Sequence, residues 1–368
     1  MDSLLPQIAA DLHTTVGTAA MVVTAYAVTH GSIQLVIGPV GDRFGKYRTV
    51  ALTCALGAIL VAVCGMVSTL PQLALARLAT GAAAGWVIPI SMAYVGDVTP
   101  HDRLQPILAR YLSGQILGQL FGQAAGGVLG DLLGWRNVFF VLAGMFALAS
   151  TGLVLELAIN PQTRKAAHTA NTGRGFVADY RAVLSNPFAR IVIIAAFIEG
   201  ALAWGALAYI GADLRQKFGL TYTVIGATVA CFGIGGLLYA GLVKLLVRRL
   251  GQIGLAIGGS LVLMAAYIEI GVGPVWWLAP VAMTGVGFGF YMLHNTLQTN
   301  ATQMTPQARG TAVALFSSAL YIGQTVGVAI GALIIDRFGA VPLFLGAAVA
   351  LPLLAVWYAG ELRRYRRA

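Results

Sequence analysis

The sequence has very little charge. Only 10% of its 368 residues are Asp, Glu, Lys or Arg, whereas soluble domains carry roughly 25%. Hydrophobic residues make up 58% of the chain, and the mean hydropathy is +0.81. Such a composition excludes a soluble globular protein. Because helices satisfy their own backbone polar groups inside a bilayer, we predict an all-α integral membrane protein.

Cysteine is also scarce. Cys54, Cys64 and Cys231 all lie inside apolar runs, which excludes a disulfide framework and a zinc site. The chain has no phosphate-binding loop, no Walker-type lysine motif and no nucleophilic triad. We therefore predict neither an enzyme nor an ATP-driven pump, and no metal site. The net charge of +10 comes from cations between apolar runs, so we predict no nucleic-acid binding.

Apolar segments long enough to cross a bilayer are abundant, since a spanning helix needs about 20 residues. Residues 1–14 resemble the last turns of an earlier span, so we expect a first helix that is largely missing. The eleven complete spans are predicted at 15–38, 49–69, 71–97, 105–129, 138–158, 189–212, 222–246, 252–272, 274–298, 307–334 and 340–360.

The longest polar stretch divides the spans into two groups. We predict an N-terminal bundle at 1–158, a linker at 159–188 and a C-terminal bundle at 189–368. Most of the 23 Lys and Arg residues lie in alternate junctions, and cytoplasmic loops carry the excess of such residues. The loop at 38–48, the linker and the C-terminus are therefore predicted to be cytoplasmic.

An internal repeat relates the two groups of spans. VTPHDRLQ (98–105) resembles MTPQARGT (304–311) at an offset of 206 residues. A parallel repeat predicts two pseudo-symmetric six-helix bundles with a site between them near the bilayer midplane. After a slip of one residue, Gly118, Gly122, Gly126, Asp131, Gly134 and Phe139 match Gly323, Gly327, Gly331, Asp336, Gly339 and Phe344.

One carboxylate inside a span is a candidate functional group. Glu199 lies in the middle of IIAAFIEGALAWG, where a charge costs about 2.5–3.5 kcal/mol on insertion scales. We expect Glu199 to carry protons or to bind a cationic substrate; the alternative is a carboxylate that faces a wet cavity and does not titrate. Arg77 also lies inside a span and needs a partner or a water-filled cavity; the alternative to a functional role is a structural arginine paired with backbone carbonyls.

Polar side chains at helical spacing predict the faces that line a substrate cavity. The alternatives are hydrogen bonds between helices and, for Trp204, packing. The glutamines adjoin a glycine ridge, Gly114, Gly118, Gly122 and Gly126, that predicts a close-packing face. The predicted cavity residues are Tyr26, His30, Gln34, Gln115, Gln119, Gln123, Trp204, Tyr291, His294, Asn295 and Gln298.

Three motifs resemble signatures of the major facilitator superfamily. ARLATGAAAG resembles its fourth-helix signature, and GQLFGQAAGG resembles the fifth-helix signature of its twelve-helix drug/proton antiporters, with Gln123 at a place that is usually Pro. GPVGDRFGKYR resembles the loop between its second and third helices. The loop residues that carry the match are Gly38, Asp42, Arg43, Gly45, Lys46 and Arg48.

The resemblance implies a fold of two six-helix bundles and several residue roles. It implies that Asp42 and Arg43 gate the cytoplasmic side, that Arg77 assists proton coupling, and that Asp2 supplies an acid from the first helix. For Lys46 and Arg48 we favour a simpler role in membrane topology. The resemblance also implies that the proton gradient, and no cofactor, drives the cycle.

The sequence thus predicts a secondary active transporter that works by alternating access. We expect it to exchange drugs or metabolites for protons as a monomer in the lipid of a bacterial-type inner membrane. One alternative is proton-coupled uptake of a small polar metabolite, which the missing Pro at Gln123 and the His and Gln content keep open. An alternative from another class is an inactive truncated scaffold.

Overall fold

The computed structural model describes residues 2–37, 44–99, 101–160, 163 and 176–367. All regular secondary structure in these ranges is helical. The helices are α1 (Leu5–Asp11), α2 (Val16–Gln34), α3 (Lys46–Met66), α4 (Leu70–Val98), α5 (His101–Leu133), α6 (Trp135–Ile159), α7 (Phe176–Ser185), α8 (Pro187–Phe218), α9 (Tyr222–Val272), α10 (Ala279–Gln303), α11 (Arg309–Phe338) and α12 (Val341–Arg367).

Every predicted span coincides with a helix. Nine ranges of the described chain are long and apolar enough to cross a membrane. One of them, α9, holds two predicted spans, because Gly251 adopts φ 61° and bends the helix between them. Glycine tolerates this left-handed conformation, which other residues rarely adopt. Helix α5 occupies the remaining predicted span.

The helices on either side of α7 are referred to below as the N-terminal and C-terminal halves, following the division that the sequence predicts. In the N-terminal half, α1–α6, helix α3 packs against α4 and α6, and α2 packs against α4. In the C-terminal half, α8–α12, helix α9 packs against α10 and α12, and α8 packs against α11. The short helix α1 lies within the predicted remnant and buries Leu5 and Ile8.

The sequence repeat is also a repeat of close helix contacts. A Cβ atom added at Gly81 would lie 2.3 Å from the carbonyl oxygen of Tyr26, and one added at Gly287 would lie 2.0 Å from that of Phe232. Members of the two pairs are 206 residues apart, as in the sequence repeat. The contacts between α2 and α4 and between α9 and α10 are therefore equivalent.

The two halves meet closely at one end of the bundle, which we call the acidic end because it carries Asp11, Asp131 and Asp336. A Cβ atom added at Gly127 of α5 would lie 2.2 Å from the carbonyl oxygen of Tyr222 of α9. The opposite end, called the linker end, carries Lys46 and α7. Toward it, a Cβ added at Gly114 would meet no described atom within 4 Å.

The predicted close-packing ridge on α5 is wrong for three of its four glycines. Gly114, Gly118 and Gly122 are exposed, and a Cβ added to any of them would meet no described atom within 4 Å. The reason is the face that α5 presents to α9: contacts to α9 come from Leu120, Gln123 and Gly127, one helical position away from the predicted ridge. The matching glycines of α11 do pack closely, since added Cβ atoms at Gly323 and Gly327 would lie 2.0 Å from backbone oxygens.

Candidate functional site

Helix α8 changes its geometry at the predicted proton carrier. Regular α-helix runs over Pro187–Glu199, a π-helical turn follows at Gly200–Trp204, and α-helix resumes at Gly205. Such π-turns inside helices are frequent at functional sites. Gly200 lets α11 approach, because a Cβ there would lie 2.1 Å from the carbonyl oxygen of Leu320.

This close packing buries the Glu199 side chain completely, with 0% of it exposed. Its Oε2 atom lies 2.9 Å from Nδ1 of His294, which comes from α10. Oε1 has no hydrogen-bond partner among the described residues. The His294 side chain keeps 12% of its surface exposed. The pair therefore consists of a fully buried carboxylate and a partly exposed imidazole.

The acid–imidazole pair can hold one or two protons. A buried charge is costly unless it is paired, so the carboxylate and the imidazolium stabilise each other. Two ionisable groups this close interact, so a proton gained or lost by one group changes the charge that the other group faces. The pair therefore has the chemistry needed to couple proton movement to a change in packing between α8 and α10.

Aromatic side chains surround this pair in the C-terminal half. The His294 ring stacks on Phe290 with centroids 4.9 Å apart and approaches Phe316 at 5.4 Å. Trp204 contacts Phe290 and Phe232 at 5.4 and 5.7 Å. Trp204 therefore belongs to an aromatic cluster that continues to the imidazole.

The other predicted residues of α10 spread from this cluster toward the linker end. Tyr291 contacts Phe290 at 5.5 Å and stacks on Tyr239 at 6.5 Å. Asn295 is half-buried one turn beyond Tyr291, and Gln298 is exposed. At this spacing Tyr291, His294, Asn295 and Gln298 share one helix face, and Gln298, nearest the linker end, is its exposed member.

Arg77 occupies the N-terminal half and is buried, with 8% of the residue exposed. Its Nε atom donates to the carbonyl oxygen of Val22 at 3.4 Å. The guanidinium lies over the Tyr26 ring, 4.2 Å from its centroid, a cation–π arrangement. Glycines at 81 and 85 of α4 give α2 the close approach that makes this contact.

The predicted cavity residues of α2, which are Tyr26, His30 and Gln34, lie where the two halves meet. The His30 ring stacks on Tyr26 at 5.3 Å and meets Tyr321 of α11 at 4.4 Å. His30 and Gln34 are both 7% exposed. These side chains are therefore packed between α2 and α11 in this conformation.

The α5 glutamines lie at a second place where the two halves meet. Gln119 and Gln123 line a small cavity together with Phe232 and Gly233 of α9, and Gln115 is exposed. The structure therefore brings two of the three glutamines next to the aromatic cluster, through Phe232, and leaves the third at the surface.

The loop motif is described only in part. Gly38, Asp42 and Arg43 lie outside the described residues, as does the side chain of Asp2. Gly45 adopts φ 86° and caps α3, so this position favours glycine. Lys46 Nζ lies 2.5 Å from Asp97 Oδ2 of α4, and Arg48 is exposed.

Two carboxylates without a predicted role bridge the halves. Asp131 and Asp336 match each other in the sequence repeat, and each accepts hydrogen bonds from the opposite half. Their recurrence next to Gly134 and Gly339 was the available signal. Asp213 of α8, whose Oδ2 lies 3.8 Å from Lys217 Nζ, was also not among the predicted residues.

Comparisons with known proteins place these features in a family. The profile of the Major Facilitator Superfamily matches residues 2–308. The chain is similar to the uncharacterized MFS-type transporter YceJ of Bacillus subtilis, at 25% identity over 94% of this chain and 87% of that protein. It is also similar to Multidrug resistance protein 2 of the same organism, at 24% identity over 96% and 90%.

A solved structure has the same fold. A variant of the nucleoside transporter NupG superimposes with a TM-score of 0.80, over 98% of this chain and 94% of that chain, at 14% sequence identity. At this identity the likeness concerns the arrangement of helices alone.

Proposed function

Because the chain belongs to the major facilitator superfamily, and is therefore a multi-pass membrane transporter, we propose that it exports small molecules in exchange for protons. The proposal rests on one observation, the fully buried Glu199 carboxylate paired with His294 inside the membrane-spanning bundle. The name of the relative Multidrug resistance protein 2 adds support for export.

The proton enters and leaves through His294, because this is the partly exposed member of the pair. Adding or removing one proton changes the net charge of a site that has almost no contact with water. Such a change alters the relative free energies of the two access states, which is the requirement for coupling. Substrate that binds near the aromatic cluster then either competes with the proton or binds only when the Glu199–His294 pair is protonated.

The other predicted residues take supporting roles in this proposal. Arg77 lies in the opposite half and sets the positive potential on that side of the midplane, and Asp2 is kept as a second predicted acid. Asp42 and Arg43 are kept as the gate of the linker end. The concentration of Lys and Arg in the loops of the linker end supports placing that end in the cytoplasm of a bacterial inner membrane.

Proton release on substrate binding tests the proposal. Purified protein in weakly buffered detergent is titrated with a panel of hydrophobic antibiotics and nucleosides while a pH dye is read. Antiport predicts that a bound substrate releases protons from wild type and that Glu199→Gln abolishes the release while the protein still folds. A matched control is Glu361→Gln, since Glu361 pairs with Arg364 on the surface of α12. Equal proton release from wild type and Glu199→Gln would refute the assignment.

Uptake by symport is the second candidate function. The observation that favours it is Gln123, which stands where the antiporter signature usually has Pro and which lies with Gln119 at the seam between α5 and α9. Proteoliposomes with an imposed pH gradient separate the two. Antiport drives substrate toward the acidic compartment, whereas symport drives it toward the alkaline one.

A further inference from the structure

Two carboxylates join the halves at the acidic end. Asp131, near the end of α5, accepts hydrogen bonds from the backbone N–H groups of Tyr222 and Thr223, at 3.1 and 2.6 Å. These residues form the first turn of α9, in the opposite half. Asp131 is thus bonded to the N-terminus of a helix that belongs to the other half.

Asp336, near the end of α11, makes the reciprocal contact. Its Oδ1 accepts the backbone N–H of Gly17 at 3.1 Å, and its Oδ2 accepts the Thr15 hydroxyl at 2.7 Å. Thr15 and Gly17 form the start of α2 in the N-terminal half. Each half therefore supplies one carboxylate and receives one.

The helix starts that receive the carboxylates are equivalent as well. Thr15 caps α2 by accepting the N–H of Thr18, and Thr221 caps α9 by accepting the N–H of Val224. The two threonines are 206 residues apart, which is the offset of the sequence repeat. Both ends of each interaction are thus duplicated, which separates this arrangement from two unrelated surface contacts.

We propose that Asp131 and Asp336 are paired gate residues that hold the acidic end shut while the linker end is open. The proposal rests on the alternating-access cycle proposed above. The first N–H groups of a helix have no partner within the helix, and a charged carboxylate is a better acceptor for them than a neutral group. Rocking of the halves would break all four bonds together and expose both helix starts to water.

The position of these carboxylates suits a gate that must reopen. Both Asp131 and Asp336 are exposed, so water can replace the lost bonds and each contact contributes modestly. One turn before Asp131 the backbones of α5 and α9 are in contact, since a Cβ added at Gly226 would lie 2.7 Å from Cα of Gly127. Breaking the bonds therefore releases a tightly packed seam.

The same end of the molecule provides a matched control. Asp11 accepts hydrogen bonds from Trp135 Nε1 and Arg136, both in its own half. The hydrogen bond from Arg136 holds the pKa of the Asp11 carboxyl below its usual value. Loss of Asp11 removes an acidic group from this end without removing a bond between the halves.

Distances between two spin labels, measured by double electron–electron resonance, test the gate without substrate or a proton gradient. Spin labels are attached at Asn137→Cys in α6 and Gln216→Cys in α8, both exposed near the acidic end, with Cys54, Cys64 and Cys231 replaced by alanine. In lipid nanodiscs, wild type is expected to show mainly a short distance between the two labels, which corresponds to a closed acidic end. Asp131→Ala and Asp336→Ala should each raise the long-distance fraction about fivefold, the double variant further, and Asp11→Ala should leave it unchanged.

Asp131→Asn and Asp336→Asn keep one acceptor oxygen and the side-chain shape, so each should fall between wild type and its alanine variant. They also keep the test decisive if an alanine variant does not fold. Distances that stay unchanged in the asparagine variants and in every folded alanine variant would overturn the gate. Distances that shift while Glu199→Gln still releases protons would keep the gate and overturn the proposed coupling, so the two failures are distinguishable.

Discussion

The two halves use the same helix contact with different chemistry beside it. In the N-terminal half, Gly81 packs on the backbone of Tyr26, and Arg77, one turn earlier, lies over the Tyr26 ring. At the equivalent positions of the C-terminal half, Gly287 packs on Phe232. The residue equivalent to Arg77 there is Met283, which is fully buried among apolar side chains.

The duplication kept some features of the two halves and not others. Close glycine contacts and the reciprocal carboxylates Asp131 and Asp336 occur in both halves, and they concern how the halves pack and separate. Arg77 occurs only in the first half, and the Glu199–His294 pair described here belongs to the second. The close backbone contacts are shared by the two halves, whereas the buried cation Arg77 has an apolar equivalent, Met283.

The largest effect is expected when a cation is placed in the C-terminal half at the position equivalent to Arg77. Met283→Arg buries a guanidinium in an apolar core with 0% exposure, and an unpaired buried charge costs about 3–5 kcal/mol. We expect little folded protein, measured by fluorescence size-exclusion in mild detergent. Met283→Leu is the control and should fold normally. Normal yield of Met283→Arg would show that the site is wetter than the structure indicates.

The shared glycine contact is the next test. Gly81→Ala and Gly287→Ala each force a methyl group within 2.3 Å of a backbone oxygen, and overpacking costs about 1–3 kcal/mol. We expect both variants to lower the melting temperature by similar amounts, because the contacts are equivalent. Gly118→Ala is the control, since no described atom lies within 4 Å of its added Cβ. A fall in only one of the two variants would contradict the structural repeat.

Removing the cation should separate stability from transport. Arg77→Met removes a cation–π contact worth about 0.5–2 kcal/mol and makes the first half resemble the second. We expect the protein to fold with a slightly lower melting temperature and to lose most proton-coupled transport in proteoliposomes. Arg110→Met, at the exposed linker-end portion of α5, is the control. Full transport by Arg77→Met would remove Arg77 from the coupling scheme.

The smallest effect is expected at the linker end. Lys46 and Asp97 pair near the surface, and exposed ion pairs contribute about 0.2–1 kcal/mol. Lys46→Met should change the melting temperature by a few degrees at most, and the change should vanish in high salt. A large, salt-independent loss of stability would mean that this pair has a structural role beyond its charge.

Several site residues could be found from the sequence because each stands out locally. Glu199 is a carboxylate in the middle of an apolar run, and Gly45 stands at a tight reversal in a charged loop. The partner of Glu199 could not be found in the same way. His294 lies 95 residues away on another helix, and helical spacing indicates which residues share a face but not which face meets a given neighbour. The glycine ridge of α5 was misread for this reason.

Hydropathy alone determined where the eleven spans lie, because the free energy of moving a segment from water into lipid depends mainly on that segment's own side chains. Only the tertiary structure decided that His294 meets Glu199, and that Asp131 and Asp336 reach across to the helix starts of the opposite halves. Those contacts depend on the rotation and depth of helices from distant parts of the chain, and these are set by packing between backbones rather than by the composition of any one segment.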